Sequence, residues 1–233
     1  MTALLEAEGL SAGYHGHPIV HGLDLEIHPG KVCALLGPNG AGKTTTLLTL
    51  AGDLPALNGR IAINGRDTKA PMHKRARMGL SFVTEERSVF MRLTVAENLR
   101  VGRTKRERAL RLFPELEPLL RRRAGLLSGG EQQMLTLARA LARGPKILLI
   151  DELSLGLAPL VVARLLEAVR AAADEEGVGI LLVEQHVRQA LKIADEVLVM
   201  RRGEIVVRGR AAEVASRLTD VEAAYLSSDD SEV

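Results

Sequence analysis

The sequence predicts an α/β fold: a mostly parallel core sheet, an antiparallel β part at the N-terminus and a helical subdomain inserted in the middle. Three observations carry that expectation. Runs at residues 32–36, 146–150 and 179–183 are dominated by apolar residues, as in strands buried on both faces. Helical stretches at 160–173 and near 187–194 alternate with them, the pattern of parallel strands joined by crossover helices. Residues from roughly 86 to 145 are instead rich in Arg, Leu and Glu with helical periodicity, broken at Pro114 and Pro118.

Taken in order, the first third reads as short strands between turn signals. Leu23, Leu25 and Ile27 alternate with Asp24 and Glu26, the period of a half-buried strand, and Pro29-Gly30 turns the chain. Cys33 lies inside the apolar run at 32–36, where a lone thiol behaves as a small buried hydrophobe. Residues 45–50 can form a helix. A strand at 59–63 ends in Asn64-Gly65, a hairpin turn signal. After the helical insertion come the strand at 146–150, the amphipathic helix at 160–173, Gly177, the strand at 179–183 and the helix near 187–194. A hairpin from 197 to 207 turns at Arg202-Gly203. The acidic tail, roughly 226–233, is expected to be frayed and disordered. No internal repeat interrupts this order, so residues 1–233 are expected to form a single domain.

Composition narrows the function. Thirty-one Lys and Arg against 29 Asp and Glu leave a net charge of +2, too balanced for a protein that coats nucleic acid. Aromatics are 2% of the chain with no Trp, which argues against base-stacking platforms, so no nucleic-acid partner is expected. One cysteine excludes an intrachain disulfide and fits a reducing compartment. Residues 1–10 carry Glu6 and Glu8 and no cationic leader, so no signal peptide is expected. The most apolar region, 147–173, is cut by Asp151, Glu152, Arg164, Glu167 and Arg170, so no transmembrane span is expected.

Three motifs carry chemistry. Gly37-Pro38-Asn39-Gly40-Ala41-Gly42-Lys43-Thr44 fits G-x-x-x-x-G-K-[ST], with a buried strand before it and a helix after it. Glycines let the backbone curl so that successive N–H groups face phosphate oxygens at the positive end of the following helix. Lys43 can reach the β- and γ-phosphates, and the Thr44 hydroxyl can ligate Mg²⁺. This segment implies a nucleoside triphosphate, and no Asn-Lys-x-Asp segment is present to select guanine. Secondly, Ile147-Leu148-Leu149-Ile150 delivers Asp151 and Glu152 to a strand's C-terminal end, where open α/β sheets bind ligands. Asp151 is placed to hold Mg²⁺, and Glu152 to orient or deprotonate the attacking water. Thirdly, Leu127-Ser128-Gly129-Gly130-Glu131-Gln132-Gln133 opens a helix. Ser128-x-x-Glu131 reads as a capping box, and the same helix tip can offer N–H donors to a second phosphate group.

With these residues in order, the chain resembles the ATP-binding subunit of an ABC transporter almost from end to end. The resemblance implies the P-loop NTPase fold of that family, an ATPase activity, and ATP and Mg²⁺ as ligands. It implies that residues from Gly37 through Lys43 and Thr44 to Thr45 hold the nucleotide. Ser128, Gly129, Gly130 and Glu131 belong to the family's signature motif, which contacts the ATP held by a second, head-to-tail subunit. Tyr14 in Ala12-Gly13-Tyr14 matches the aromatic that stacks on adenine, and His186 in Val183-Glu184-Gln185-His186-Val187 matches the switch histidine at the γ-phosphate. Residues 154–159 match the loop that follows the catalytic Glu and faces the partner. The resemblance also implies transmembrane partner subunits, a homodimer or a heterodimer with a sister ATPase, and a peripheral place at the cytoplasmic face of the membrane.

Two positions depart from the general family pattern. Glu85 stands where most members carry a Gln that links Mg²⁺ to the transmembrane partner; a carboxylate keeps the oxygen ligand and adds charge. Leu153 follows Asp151-Glu152 where the family usually has Pro, which loosens the turn without removing a reacting group, so activity is expected to survive. The segments 85–90, 93–99 and 154–159 resemble importers of branched-chain amino acids, a branch that commonly has Glu at the position of Glu85. Relatives in that branch import urea or short amides. Non-transport cassettes usually have tandem cassettes or a long coiled-coil insertion, which 233 residues do not accommodate. A nucleotide-gated module without catalysis is the remaining alternative, motivated by Leu153.

His15, His17 and His21 lie close together, but no Cys or paired carboxylate completes a metal site. The basic runs at 103–111 and 121–123 read as solvated helix faces, with docking to a membrane partner or the anionic inner leaflet as their functional alternative.

Overall fold

The computed structural model describes residues 2–216; the tail expectation at 226–233 lies outside the described residues. Strands β1 (Leu5–Tyr14) and β2 (His17–Ile27) form a hairpin, and β3 (Val32–Leu36) leads through a loop to helix α1 (Lys43–Ala51). Strands β4 (Ala56–Ile63) and β5 (Arg66–Asp67) form a second hairpin. Then follow α2 (Met72–Arg77), β6 (Leu80–Val83), α3 (Val95–Val101), α4 (Arg106–Leu112), α5 (Gly129–Leu141) and β7 (Ile147–Asp151). The chain continues as α6 (Pro159–Glu176), β8 (Gly179–Glu184), α7 (Val187–Ala190), β9 (Glu196–Arg201), β10 (Glu204–Arg210) and α8 (Ala211–Ser216).

Two sheets result. An antiparallel sheet runs β2-β1-β4-β5, and a six-stranded sheet runs β10-β9-β3-β8-β7-β6. From β9 to β6 every pair in the larger sheet is parallel, while β10 joins β9 antiparallel. Both hairpin signals work as their chemistry requires: Asn64 and Gly65 take φ 51 and 71, and Arg202 and Gly203 take φ 48 and 82, the left-handed values of a type I′ turn.

Alternation along β3 explains how one strand serves two cores. Val32, Ala34 and Leu36 point into the core beneath α5 and α6, whereas Cys33 and Leu35 point toward α1 and the antiparallel sheet. Burial pushes the Cys33 thiol up to about 12, which leaves it an inert packing group at neutral pH. Helix α1 lies between the sheets, and its C-terminal end is closed by a buried guanidinium. Arg75 Nη1 donates to Thr49 O at 2.8 Å and Leu50 O at 2.7 Å, and its Nε donates to Ala70 O at 2.7 Å. A cation there faces the negative end of the helix macrodipole.

The structure extends or shortens several sequence expectations. Strand β2 starts at His17 rather than Leu23, and β4 starts at Ala56 rather than Gly59. Strands β1 and β6 and helix α2 add to the expected elements; β1 alternates only over Leu5–Glu8 before its register shifts. The helix near 187–194 stops at Ala190. Turns carry the chain on through residue 193, with Ile193 N and Ala194 N both donating to Ala190 O, to Asp195, whose N–H donates to Val32 O at 2.8 Å and whose carboxylate takes hydrogen bonds from Val32, Lys31 and Arg170. Within 86–145, helix begins only at Val95. Fully buried Asn98 holds the preceding loop instead: it accepts from Phe90 N at 2.8 Å and donates to the Phe90, Leu93 and Thr94 carbonyls. Pro114 and Pro118 sit in a 3₁₀ turn, Pro114–Leu119. That turn is fastened to α6 by Arg164, which pairs with Glu115 at 2.6 Å and lies 4.9 Å from the centre of the buried Phe113 ring. Among the described residues no helix is long and apolar enough to cross a membrane.

Candidate functional site

Parallel strands place the site. Because β3, β8, β7 and β6 are neighbours pointing the same way, their C-terminal ends lie along one edge. Gly37 follows β3, Glu184 ends β8 with Gln185 and His186 after it, Asp151 ends β7 with Glu152 after it, and Glu85 lies two residues beyond β6. Residues scattered over 150 positions of sequence thereby meet.

They frame a cavity of about 490 Å³ lined by Ile19, Asn39, Gly40, Gly42, Lys43, Thr44, Thr45, Glu85, Glu152, Leu155 and Gln185. A larger cleft of about 860 Å³ lies elsewhere, between α4 and α6. Its Arg108 pairs with Glu176 and its Arg164 with Glu115. The smaller cavity is the one at the C-terminal edge of the parallel strands.

The loop from Gly37 to Gly42 is shaped by close approaches. A Cβ on Gly37 would come within 2.4 Å of Met200 O, and Gly42, with φ 105, caps α1 beside Val20. The first residue of the helix, Lys43, is 5% exposed and donates from Nζ to Gly37 O at 2.8 Å and Pro38 O at 2.9 Å. Burial lowers its pKa, and Glu152, Asp151 and Glu184 oppose that shift. A cation held at the mouth of a helix N-terminus is suited to bridging phosphate oxygens.

Asp151 lies beneath this loop at 2% exposure. Burial raises its pKa to about 6, against a lowering hydrogen bond from Thr44. Its Oδ1 is buried with no hydrogen-bond partner, an arrangement that a cation or its water would satisfy. Among the described residues no group of three or more His, Cys, Asp or Glu gathers as metal ligands, His15, His17 and His21 included. Thr44, Asp151 and Glu85 suit Mg²⁺, which takes one or two carboxylates and completes its shell with water and phosphate oxygens.

Glu152 has φ 46, a left-handed backbone rare for a side chain of its kind, and its Oε1 accepts from Gln185 Nε2 at 2.7 Å. The next turn is fixed from below: Glu184, 1% exposed, accepts from Ser154 Oγ at 2.8 Å and Ser154 N at 3.1 Å. Burial raises the Glu184 pKa and the Ser154 hydrogen bonds restrain the rise. Leu153 between them is buried in the core, so packing anchors the turn where no proline restrains it.

The remaining expected residues fall outside the cavity. Ser128 forms the capping box, accepting from Glu131 N at 3.3 Å while its own N–H donates to Glu131 Oε2 at 2.6 Å. Gly129 and Gly130 follow at the tip of α5, and none of these four lines the cavity. Gly37, Pro38 and Ala41 form the loop's body rather than its lining, and His186 is exposed at the start of α7. Tyr14 is 42% exposed at the end of β1 and is not among the lining residues; Ile19 is. Ile19 and the pairings of Gln185 and Glu184 were missed from sequence: Gln185 and Glu184 stand just ahead of His186, Leu155 falls within the segment 154–159, and no sequence signal marked Ile19.

Comparison with known proteins gives the arrangement its kin. Residues 20–154 match the family described as ABC transporter. The high-affinity branched-chain amino acid transport ATP-binding protein BraG of Pseudomonas aeruginosa is 39% identical, covering 96% of this chain and 99% of its own. The lipopolysaccharide export system ATP-binding protein LptB of Acidithiobacillus ferridurans is 35% identical over 92% of this chain and 93% of its own. Among solved structures, MJ1267, an ATP-binding cassette of an ABC transporter, superposes with a TM-score of 0.86 at 25% identity, covering 96% of this chain and 98% of that one.

Proposed function

The chain belongs to the ABC transporter family as an ATP-binding, ATP-hydrolysing subunit, and from that premise we propose that it powers import of branched-chain amino acids. The similarity to BraG over nearly the whole of both chains carries the choice of cargo. The LptB relative makes lipopolysaccharide export the competing reading, and a urea or short-amide importer is the nearer variant of the first.

The convergence of Lys43, Thr44 and Glu152 on one cavity, with Asp151 bonded to Thr44 beneath it, supports the mechanism. Lys43 exchanges the Gly37 and Pro38 carbonyls for the β- and γ-phosphate oxygens of ATP, and the N–H groups of residues 39–45 hold the same oxygens. Tyr14 stacks on the adenine. Thr44, Asp151 and Glu85 would hold Mg²⁺, which would supply positive charge against the phosphate oxygens. Glu152 accepts the proton of the attacking water, and His186 contacts the γ-phosphate. A site built only from residues 37–45, 85 and 151–186 is open on one side. The exposed tip of α5, with Ser128, Gly129, Gly130 and Glu131, closes the nucleotide of a second ATPase subunit, identical or a sister chain. ATP therefore shifts the population toward the closed pair, and hydrolysis returns it. This motion works on transmembrane subunits at the cytoplasmic face of the membrane.

Uptake of radiolabelled leucine into cells with and without the chain tests the cargo. Loss of leucine uptake on deletion is expected; unchanged leucine uptake with altered urea uptake or lipopolysaccharide export would overturn it.

A further inference from the structure

Glu152 leaves β7 in a strained backbone conformation, φ 46, of the kind that persists only where surrounding contacts over-determine it. Its N–H donates to Val183 O at 3.0 Å, which fixes the main chain against β8 but leaves the side-chain torsions free. The restraint on the carboxylate comes from Gln185. Gln185 Nε2 donates to Glu152 Oε1 at 2.7 Å and to Asn39 Oδ1 at 2.7 Å. An ionised carboxylate can only accept, so the amide must turn its NH₂ toward Glu152, and the second hydrogen is then aimed at Asn39. The base of Gln185 is itself placed by the sheet. Glu184, one residue earlier, is in register with Leu36 at the end of β3 and is clasped to Ser154. Gln185, Glu152 and Asn39 all line the same cavity.

We propose that Gln185 is a positioning residue for hydrolysis: its amide spans the phosphate loop and Glu152, so the carboxylate is oriented by the loop that receives the phosphates. The proposal rests on the reading of Glu152 as general base. Gln185 supplies no proton and touches no reacting atom; it removes rotamers of Glu152 that point away from the cavity.

The test uses the purified full chain with Mg·ATP, comparing Gln185→Ala, Gln185→Glu, Glu152→Gln and the pair Glu152→Gln/Gln185→Ala. Steady-state kcat and KM are read with calorimetric Kd, and a thermal melt checks folding. Gln185→Ala should lower kcat roughly 10- to 100-fold, the scale of losing a hydrogen bond to a charged group, with KM and Kd within about threefold of wild type. Gln185→Glu keeps the shape and removes the donor, so it should be at least as impaired. In the Glu152→Gln background, Gln185→Ala should cost nothing further. Wild-type kcat in Gln185→Ala, wild-type behaviour in Gln185→Glu, or an additive loss in the pair would each overturn the proposal while leaving Glu152 as base. Hydrolysis at the wild-type rate by Glu152→Gln would overturn the base assignment itself, and the proposal with it.

Discussion

Glu184 and Ser154 form a buried clasp: the 1%-exposed carboxylate takes both the hydroxyl, at 2.8 Å, and the backbone N–H, at 3.1 Å, of the same serine. This ties the end of β8 to the loop that leaves the site toward α6. A carboxylate buried this deeply depends on its donors. Ser154→Ala removes one of two and should destabilise the fold by about 1–3 kcal/mol. Chemical denaturation at pH 8 measures it, and unchanged stability would show that the hydroxyl is dispensable.

Lys43 is fixed between the Gly37 and Pro38 carbonyls and faces the acids Glu152, Asp151 and Glu184. Lys43→Ala should weaken Mg·ATP binding about 10- to 100-fold, the worth of one charge-assisted contact to phosphate. Calorimetric titration gives the answer directly, and wild-type affinity would remove Lys43 from the phosphate site.

Glu152→Gln preserves the acceptor that Gln185 reaches while removing the proton-accepting charge. Hydrolysis should fall about 10²- to 10⁴-fold, as for loss of a general base, with ATP binding retained. A species of doubled mass should then accumulate with Mg·ATP in light scattering. A variant that binds ATP, does not hydrolyse it and stays monomeric would refute closure between two copies of this chain.

Asp151 gives a pH signature. Its folded pKa of about 6 lies above the ordinary 3.8, so between these values the native state binds the proton that the unfolded chain has lost. Stability therefore falls as pH rises through this window and stays reduced above it. In metal-free buffer Asp151→Asn should be more stable than wild type at pH 8 by about 1–3 kcal/mol, and the gain should vanish near pH 4. Added Mg²⁺ with ATP should stabilise the wild type and not the variant. Thermal melts across pH check both; a gain independent of pH would show that burial does not set this carboxyl's pKa.

Arg75 donates to three carbonyls around the end of α1 while 4% exposed. Arg75→Met fills similar volume but leaves those acceptors unpaired, and should cost about 2–4 kcal/mol. Thermal unfolding at low and high salt reads it; a loss abolished by salt would mark a surface charge effect instead of a buried cap.

Sequence alone determined the parts whose chemistry is local. The apolar run 147–150 between turn signals reads as a buried strand, the glycines of 37–42 with the lysine after them as a loop ahead of a helix, and Ser128 with Glu131 as a helix start; each signal lies within a few residues, and the structure has the strand, the loop and the helix starts there. Tertiary structure decided what depends on partners distant in the chain. Strand β1 alternates over Leu5–Glu8 and then loses the pattern where its register shifts against β2 and β4, and β6 is only four residues long. The start of helix at Val95 is local, a Thr94–Glu97 capping box, but the loop before it is held by Asn98 bonding Phe90 and Leu93, which no window of sequence displays. Asn39, Glu152 and Gln185 are 113 and 33 positions apart in sequence, and only the parallel order β3-β8-β7 brings them within hydrogen-bonding distance. Their geometry is a property of the sheet edge, since side-chain hydrogen bonds act over about 3 Å and record nothing of sequence separation.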